Sequence, residues 1–494
     1  MRIYAVAGVP PEIQAYAMAR YSRSARSMLE SIGELSRQRA SDFLNTFYFQ
    51  YGHRSIADLA HLALAIEDIS ILAATRVVDE NLWDGQERST RYQQFRKSGY
   101  VLPGGLPGSN EASFRETAEA MFAAYEQVTD LLLDALVERV PRPADMEQEI
   151  FRRTLRARAF DVARALLPLA TRTSLGQIVS ARVLERQVSR LLSEPYQEVR
   201  QIGLELRAAC ERPAEQPLNG EHADPSALAP TLVKYANENP FQIQSRQTLT
   251  ALAAAELAGL PAPDRRHAVE LAADESPLDE TVATVLYRWD RLGHSYRQVQ
   301  EHVRTLSESR KRELLAAVTD SRGQHDELPR ELRAGYAIKL DLLMDFGSFR
   351  DLHRHRRCVQ IIQEPTAAHG ADAFQDVLVW AFGDALAHEM PTGPAATAYT
   401  GAVNRSLAAS AQLEQSGAVD AAYLLPLAAR TRVLFKMDLA ELGYIVEERT
   451  PVNGHFSYRR IAWAMRCAVA ERFPHLVGFM RGVDPAETID LLRR

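Results

Sequence analysis

The chain has 494 residues, 46% hydrophobic and 25% charged, with a net charge of −6. That is the balance of a globular protein with a substantial core, long enough for roughly two to four domains of ~150 residues. The acidic net charge excludes a global basic field for nucleic acid, so any anion must be held by local clusters.

The opening MRIYAVAGVPPEIQ is neither a charged n-region nor a long apolar run, so no secretory signal is expected. No apolar run is long enough for a membrane span. Three scattered cysteines without a CxxC pair, Cys210, Cys358 and Cys467, argue against a disulfide framework or zinc site and suit a reducing cytoplasm. No metal is expected.

The segment YGHRSIADLAH places Gly52, His53 and Ser55 before a predicted helix. Ser55 suits an N-cap, with Asp58 completing something like a capping box. His53 then stands at a helix entry, where free N–H groups favour anions. Residues 55–82 are apolar at three- and four-residue spacing. They read as one or two buried helices, with a strand an alternative near AIEDISILA.

In GQERSTRYQQF (85–95), Glu87, Ser89 and Arg91 alternate. On extended backbone they share a face, and an arginine fork suits a phosphate. The rival reading is a solvated polar loop. VLPGGLPGSN (101–110) is a loop by its prolines and glycines. Residues 111–140 form a strong amphipathic pattern with Ser109 or Asn110 as cap. ERPAEQPLNGEHADPSALAP (211–230) is the best linker.

That linker falls near mid-chain, and a repeat flanks it. ARALLPLATRT from Ala163 and AAYLLPLAART from Ala421 share LLPLA-x-R-T at an offset of 258 residues. In the second half, DFGSFRDLHRHRRCVQ (345–360) packs Arg350, His353, Arg354, His355, Arg356 and Arg357 into eight residues. Such a run repels itself unless an anion, for example a pyrophosphate, sits there. Its arginine neighbours should lower the Cys358 pKa, although a packing role is favoured for that thiol.

Together these residues resemble the flavin-dependent thymidylate synthase family. Its motif is RHR-x-x-S-x-N-E-x-S-x-R-Y, with GH-x-S upstream and A-R-x-x-LP downstream. The resemblance covers nearly the whole chain, once per half, but the signature is split. The first half keeps Gly52, His53 and Ser55, then Glu87, Ser89, Arg91 and Tyr92, with Gln86 where Asn is usual. Its RHR positions hold Asp79, Glu80 and Asn81. The second half restores Arg354, His355 and Arg356 but has Ile361, Ile362, Glu364 and Thr366 where Asn, Glu, Ser and Arg belong. Arg164 and Arg182 match family arginines in the first half, against Ala422 and Ala440 in the second; Arg449 matches in the second, against Leu191.

The resemblance implies two tandem α+β domains, helix-rich with a twisted sheet in each, over 1–212 and 231–494, joined by a linker at 213–230. It implies FAD-dependent methylation of dUMP to dTMP with methylenetetrahydrofolate and NADPH, at composite sites using both halves. His53, Ser55, Arg182, Arg354, His355 and Arg356 would hold FAD. Ser89, Arg91, Arg164 and Arg449 would hold the nucleotide, with Arg164 and Glu87 nearest the chemistry. Two chains would mimic the family tetramer as a homodimer. The alternatives are a related flavoenzyme for another pyrimidine nucleotide, suggested by Gln86 and by Asp351 where Gln usually precedes RHR, or a non-catalytic nucleotide-binding scaffold. His325 is the candidate for the second-half GH-x-S histidine.

Overall fold

The computed structural model describes residues 11–19, 54–91, 95, 99–104, 106, 108–215, 227–231, 236–272, 277–318, 320–321, 329–333, 338–390, 392–437, 439–472, 474, 477 and 480–492. The first half runs α1 (Pro11–Ala19), a 3-10 turn (Arg54–Leu59), β1 (His61–Ser70), α2 (Ile71–Val78), β2 (Asp84–Glu87), α3 (Gly108–Arg139), α4 (Gln148–Ala163), β3 (Arg172–Ser180), α5 (Ala181–Leu192) and α6 (Gln197–Cys210). Then come α7 (Pro240–Leu257), β4 (Val269–Leu271), α8 (Pro277–Trp289), α9 (Tyr296–Thr305), α10 (Glu308–Ala317), β5 (Ile338–Asp345), α11 (Phe346–Leu352), β6 (Val359–Ile362), α12 (Phe374–Phe382), α13 (Asp384–Glu389), α14 (Thr392–Gln415), β7 (Arg430–Met437), α15 (Leu439–Arg449) and α16 (Phe456–Arg472).

Two compact units cut the chain along other lines than its sequence halves. The first comprises Met1–Ile69, Ala73–Arg88 and Thr173–Ile243. It holds a three-stranded sheet of order β1-β3-β2, in which β2 runs antiparallel to β3 with Glu87 opposite Leu175. Helix α5 follows because Ser180 caps it, accepting from the Val183 N–H at 3.3 Å. Its buried Val183, Leu184, Gln187, Val188 and Leu191 recur at three- and four-residue spacing.

The second unit comprises Ser70–Leu72, Ser89–Arg172 and Gln244–Arg494. Its sheet has the order β4-β5-β7-β6 and is antiparallel throughout. Every residue of β5 is buried, as expected for a strand covered on both faces. One core cluster gathers Leu286, Tyr287, Tyr296 and Val299 from α8 and α9 against Ile361 and Leu434 of β6 and β7.

The same string of elements occurs twice. The order β1-β3-β2 is matched by β5-β7-β6, with β4 added at one edge. Glu87 faces Leu175 in β3, and Ile362 faces Val433 in β7. Leu175 and Val433 are related by the repeat offset, so the register aligns Glu87 with Ile362. It therefore aligns Asp79, Glu80 and Asn81 with Arg354, His355 and Arg356. The fold is thus α+β, helix-rich, with two small antiparallel sheets, as the sequence suggests.

Within the second unit the two LLPLA copies pair with each other. Pro168 and Pro426 face one another in an antiparallel bridge. The Leu169 N–H donates to the Leu425 carbonyl at 2.8 Å, and the Leu427 N–H to that of Leu167 at 2.9 Å. Ala170 donates to Tyr423 and Ala428 to Ala165, both at 2.8 Å. Each bond maps onto its mate when the copies are exchanged, which is the self-complementary pattern of a two-fold contact. The prolines occupy the non-hydrogen-bonded pair of the ladder, where no N–H is needed.

Two local expectations are corrected. Residues 55–82 are not mainly helical: a strand, His61–Ser70, overlapping the alternative read near AIEDISILA, precedes the short helix Ile71–Val78. Ser55 lies inside the 3-10 turn rather than capping an α-helix.

Candidate functional site

Arg91 follows β2 in a loop and is 8% exposed. Ser89 shapes that loop, its Oγ accepting the Arg91 N–H at 3.1 Å. The Arg91 side chain donates from Nε to Asp161 Oδ1 at 3.1 Å, and Arg158 Nη1 lies 3.6 Å from the other Asp161 oxygen. Asp161 stands in the last turn of α4, and Arg164 follows directly after it. The Arg164 guanidinium reaches Thr90 Oγ1 at 3.3 Å and Asp351 Oδ2 at 3.4 Å. First-half Arg91 and Arg164 are thereby tied to α11, the helix that delivers Arg354, His355 and Arg356.

The RHR turn is braced from beneath. His353 Nδ1 lies 2.8 Å from Gln360 Oε1, and Gln360 Nε2 donates to the His355 carbonyl at 2.8 Å. Arg449 Nε donates to His355 Nε2 at 2.8 Å, and His355 Nδ1 lies 3.6 Å from Glu441 Oε1. An Nε2 that accepts must be unprotonated, so His355 is neutral with its proton on Nδ1 facing Glu441. Arg354 is exposed and Arg356 half-buried, leaving a cationic rim.

Asp345 caps α11. Its carboxylate accepts from the Ser348 N–H at 2.8 Å and from the hydroxyls of Ser348 and Ser457. This pins the start of α16 to the start of α11. His455, just before α16, is 3% exposed. Its Nε2 donates to the Asp161 carbonyl at 2.9 Å while Nδ1 accepts from the Ser457 N–H at 3.2 Å, again a neutral ring.

Burial opposes ionisation of Asp351, but Arg164, Arg354, Arg91 and Arg350 outweigh it and hold the carboxyl below its usual range. Burial also works against charge on Arg91, and Asp161, with Tyr458 and Asp351, more than compensates. Arg164 is lowered by burial, despite Asp351. His355 is lowered by burial, against Glu441 and aided by Arg449; His455 is driven well below the usual histidine value by burial and by Arg164 and Arg91.

Thus Ser89, Arg91, Arg164, Arg354, His355, Arg356 and Arg449 all fall in the second unit, linked through Asp161, Asp351 and the His355–Arg449 bond. Glu87, Arg182 and Ser55 lie in the first unit. There Glu87 accepts from Thr173 Oγ1 at 3.4 Å, and Arg182 pairs with Asp58 at 2.9 Å. His53, Tyr92 and His325 fall outside the described residues. Cys358 corrects an expectation: burial pushes its thiol pKa well up rather than down, which suits packing.

Sequence reasoning missed Asp161, Glu441 and His455. Asp161 precedes Arg164 by three residues, the spacing of helix neighbours. The string Gly454–His455–Phe456–Ser457 repeats the G-H-x-S pattern in plain view.

In the first unit the aligned position is acidic. Glu80, aligned with His355, is 6% exposed and takes Arg186 at 2.6 Å and Arg190 at 2.8 Å. Among the described residues, no cluster of three or more metal-ligating side chains occurs and no helix is long and apolar enough to cross a membrane.

A UPF0159 protein of Chlamydia muridarum is 25% identical over 98% of this chain and 93% of its own length. One of Thermoplasma acidophilum is 22% identical over 95% of each. Two solved structures show weak overall similarity. The UMP/dUMP methylase PolB from Streptomyces cacaoi bound with 5-Br dUMP gives a TM-score of 0.32, with 15% identity over 45% of this chain and 89% of that one. Thymidylate Synthase X from Helicobacter pylori with FAD and dUMP gives 0.29, with 14% identity over 46% and 96%. The family model for Thy1, the thymidylate synthase complementing proteins, matches residues 7–214 and again 280–475. With most of the sequence matched, and matched twice, the chain belongs to the Thy1 family.

Proposed function

We propose that the chain is a fused, two-copy flavin-dependent thymidylate synthase that methylates dUMP to dTMP with methylenetetrahydrofolate and NADPH. One observation carries this reading: Arg91 and Arg164, from the first copy, meet the RHR turn of the second copy in one compact unit, through the 3.4 Å Arg164–Asp351 pair. Duplication and division of labour explain why each copy keeps the motif parts the other lacks.

The residues present fit a dinucleotide flavin. Exposed Arg354 and half-buried Arg356 offer the planar donors a pyrophosphate needs, and His355 is locked behind them. FAD would supply hydride relay from NADPH. This chain's residues do the rest. Ser89 and Arg91 bind the nucleotide phosphate, with Arg449 opposite. Arg164 donates to a pyrimidine carbonyl and stabilises the charge that develops there as C5 becomes nucleophilic. Asp161 keeps Arg91 aimed, and Glu441 and Arg449 fix the His355 tautomer. His53, Ser55 and Arg182 are assigned to the flavin and Glu87 to the nucleotide by family position alone. Two chains, as a homodimer, would reproduce the family's shared-site assembly.

Asp351 favours a second reading. An ionised acceptor beside Arg164 also suits cytosine, whose amino group donates while O2 and N3 accept. The test is product formation from dUMP or dCMP with FAD, NADPH and methylenetetrahydrofolate. We expect dTMP, and a loss of about 100-fold or more in both Arg91→Lys and Arg356→Ala. Arg91→Lys keeps the charge facing Asp161 but loses the fork. Sensitivity to only one of the two changes would refute a composite site; a methylated cytosine product would establish the second reading.

A further inference from the structure

A second basic cluster lies on β7, outside the site above. Arg430 and Arg432 are two residues apart and share one face of the strand. Arg432 donates to Asp341 at 2.8 Å and to the carbonyl of Asp264, which places Arg265 beside it. The Arg430 N–H donates to the Gly370 carbonyl at 2.9 Å, which places His369 beside it. The His369 ring packs closely against the chain at Gly293: a Cβ there would sit 2.3 Å from Cε1, and Gly293 has φ +78°.

His369 is 1% exposed, yet among the described residues neither ring nitrogen has a hydrogen-bond partner. Nε of Arg430 is likewise buried with no hydrogen-bond partner among the described residues. Native interiors rarely leave such groups unmet. The other copy shows what is different. Arg172, the repeat equivalent of Arg430, donates from Nε to the Tyr100 carbonyl at 3.1 Å, and Ser174 stands where Arg432 does. The second copy has therefore lost an acceptor and gained a guanidinium.

Of the nearby carboxylates, Asp341 faces Arg432 within the cluster and Asp372 interacts with Arg430, while the others serve other groups. Asp264 holds Arg266 and Arg297, and Asp290 holds the backbone of Leu292 and His294. Burial, then Arg430 and Arg432, depress Arg265; burial, then Arg432, Arg265 and Arg430, push His369 down to about 3.

We propose that Arg265, Arg430 and His369, with Arg432 behind them, form a second anion site for a phosphate-type dianion. A tetrahedral dianion supplies more acceptor oxygens than a carboxylate and relieves more of the mutual repulsion. The site does not depend on the catalytic reading.

The test is calorimetric titration of the full chain with inorganic phosphate and, separately, ribose 5-phosphate, comparing native protein with Arg265→Gln, Arg430→Gln and Arg91→Lys. We expect phosphate binding that survives Arg91→Lys and weakens about tenfold or more in the other two. Arg265 is exposed, so its substitution leaves the core intact. In phosphate-free buffer, Arg430→Gln should raise the melting temperature, because repulsion is relieved, and abolish the stabilisation that added phosphate gives. Binding of inorganic phosphate alone marks a free-anion site; binding of both ligands marks recognition of a phosphomonoester end. Unchanged titrations in Arg265→Gln and Arg430→Gln, or complete loss of phosphate binding in Arg91→Lys, would overturn the proposal.

Discussion

Asp161 is the residue on which several site contacts converge. It is 2% exposed and faces two arginines, while its carbonyl receives His455. Asp161→Ala removes the carboxylate that two buried guanidinium groups share, so it should cost about 3–5 kcal/mol, read by urea denaturation, and should weaken nucleotide binding. The neutral histidines make stability depend on pH. His355, His369 and His455 have folded pKa values below the unfolded value. Their contribution is present above about pH 6.5 and is lost as pH falls toward the folded values. Asp372, raised to about 6 by burial and Asp345, acts the other way, but only as pH falls below its own pKa. Unfolding free energy should therefore drop between pH 7.5 and 6, and His455→Asn should flatten that slope. At this scale the arginines were legible, because charge needs an anion and the spacing is local. Their carboxylate partners were not, because Asp161 meets Arg91 across 70 positions.

The repeat is most informative at the level of elements. LLPLA was readable as a duplicated string, but only the structure shows the two copies hydrogen-bonded to one another around Pro168 and Pro426. Each half thus leaves unpaired backbone if made alone. Residues 1–212 and 231–494 expressed separately should be insoluble or unfolded, and co-expressed they should purify as one complex; two stable, independent halves would contradict this. The helix read at 111–140 is present as α3, since its long apolar period is unambiguous, but it starts at Gly108, so Ser109 and Asn110 lie in its first turn rather than capping it. Residues 61–70 were harder. Their burial does not alternate cleanly, and Asp68 at φ 56° breaks the strand period, its N–H taken by Ser174 Oγ at 3.2 Å.

Across the whole molecule, the two copies differ in charge at one aligned position, a neutral histidine in the second and a carboxylate in the first. His355 sits with Arg449 and Glu441, whereas Glu80 is clamped by Arg186 and Arg190. A buried carboxylate already neutralised by two arginines cannot also hold an anionic cofactor. Glu80→His should therefore fail to create a second flavin site and should destabilise the chain by removing the carboxylate that both arginines share, measurable as a lower melting temperature. The split of the motif between the two halves was legible in the sequence; the ion pairs around Glu80 required coordinates. The most direct measurement is the flavin content per chain, from the visible spectrum after saturation with FAD and removal of excess. One flavin per chain is expected for composite sites built from both copies. Two would mean that the Glu80 region also binds flavin, and none, even with dUMP present, would contradict the catalytic reading and leave a scaffold.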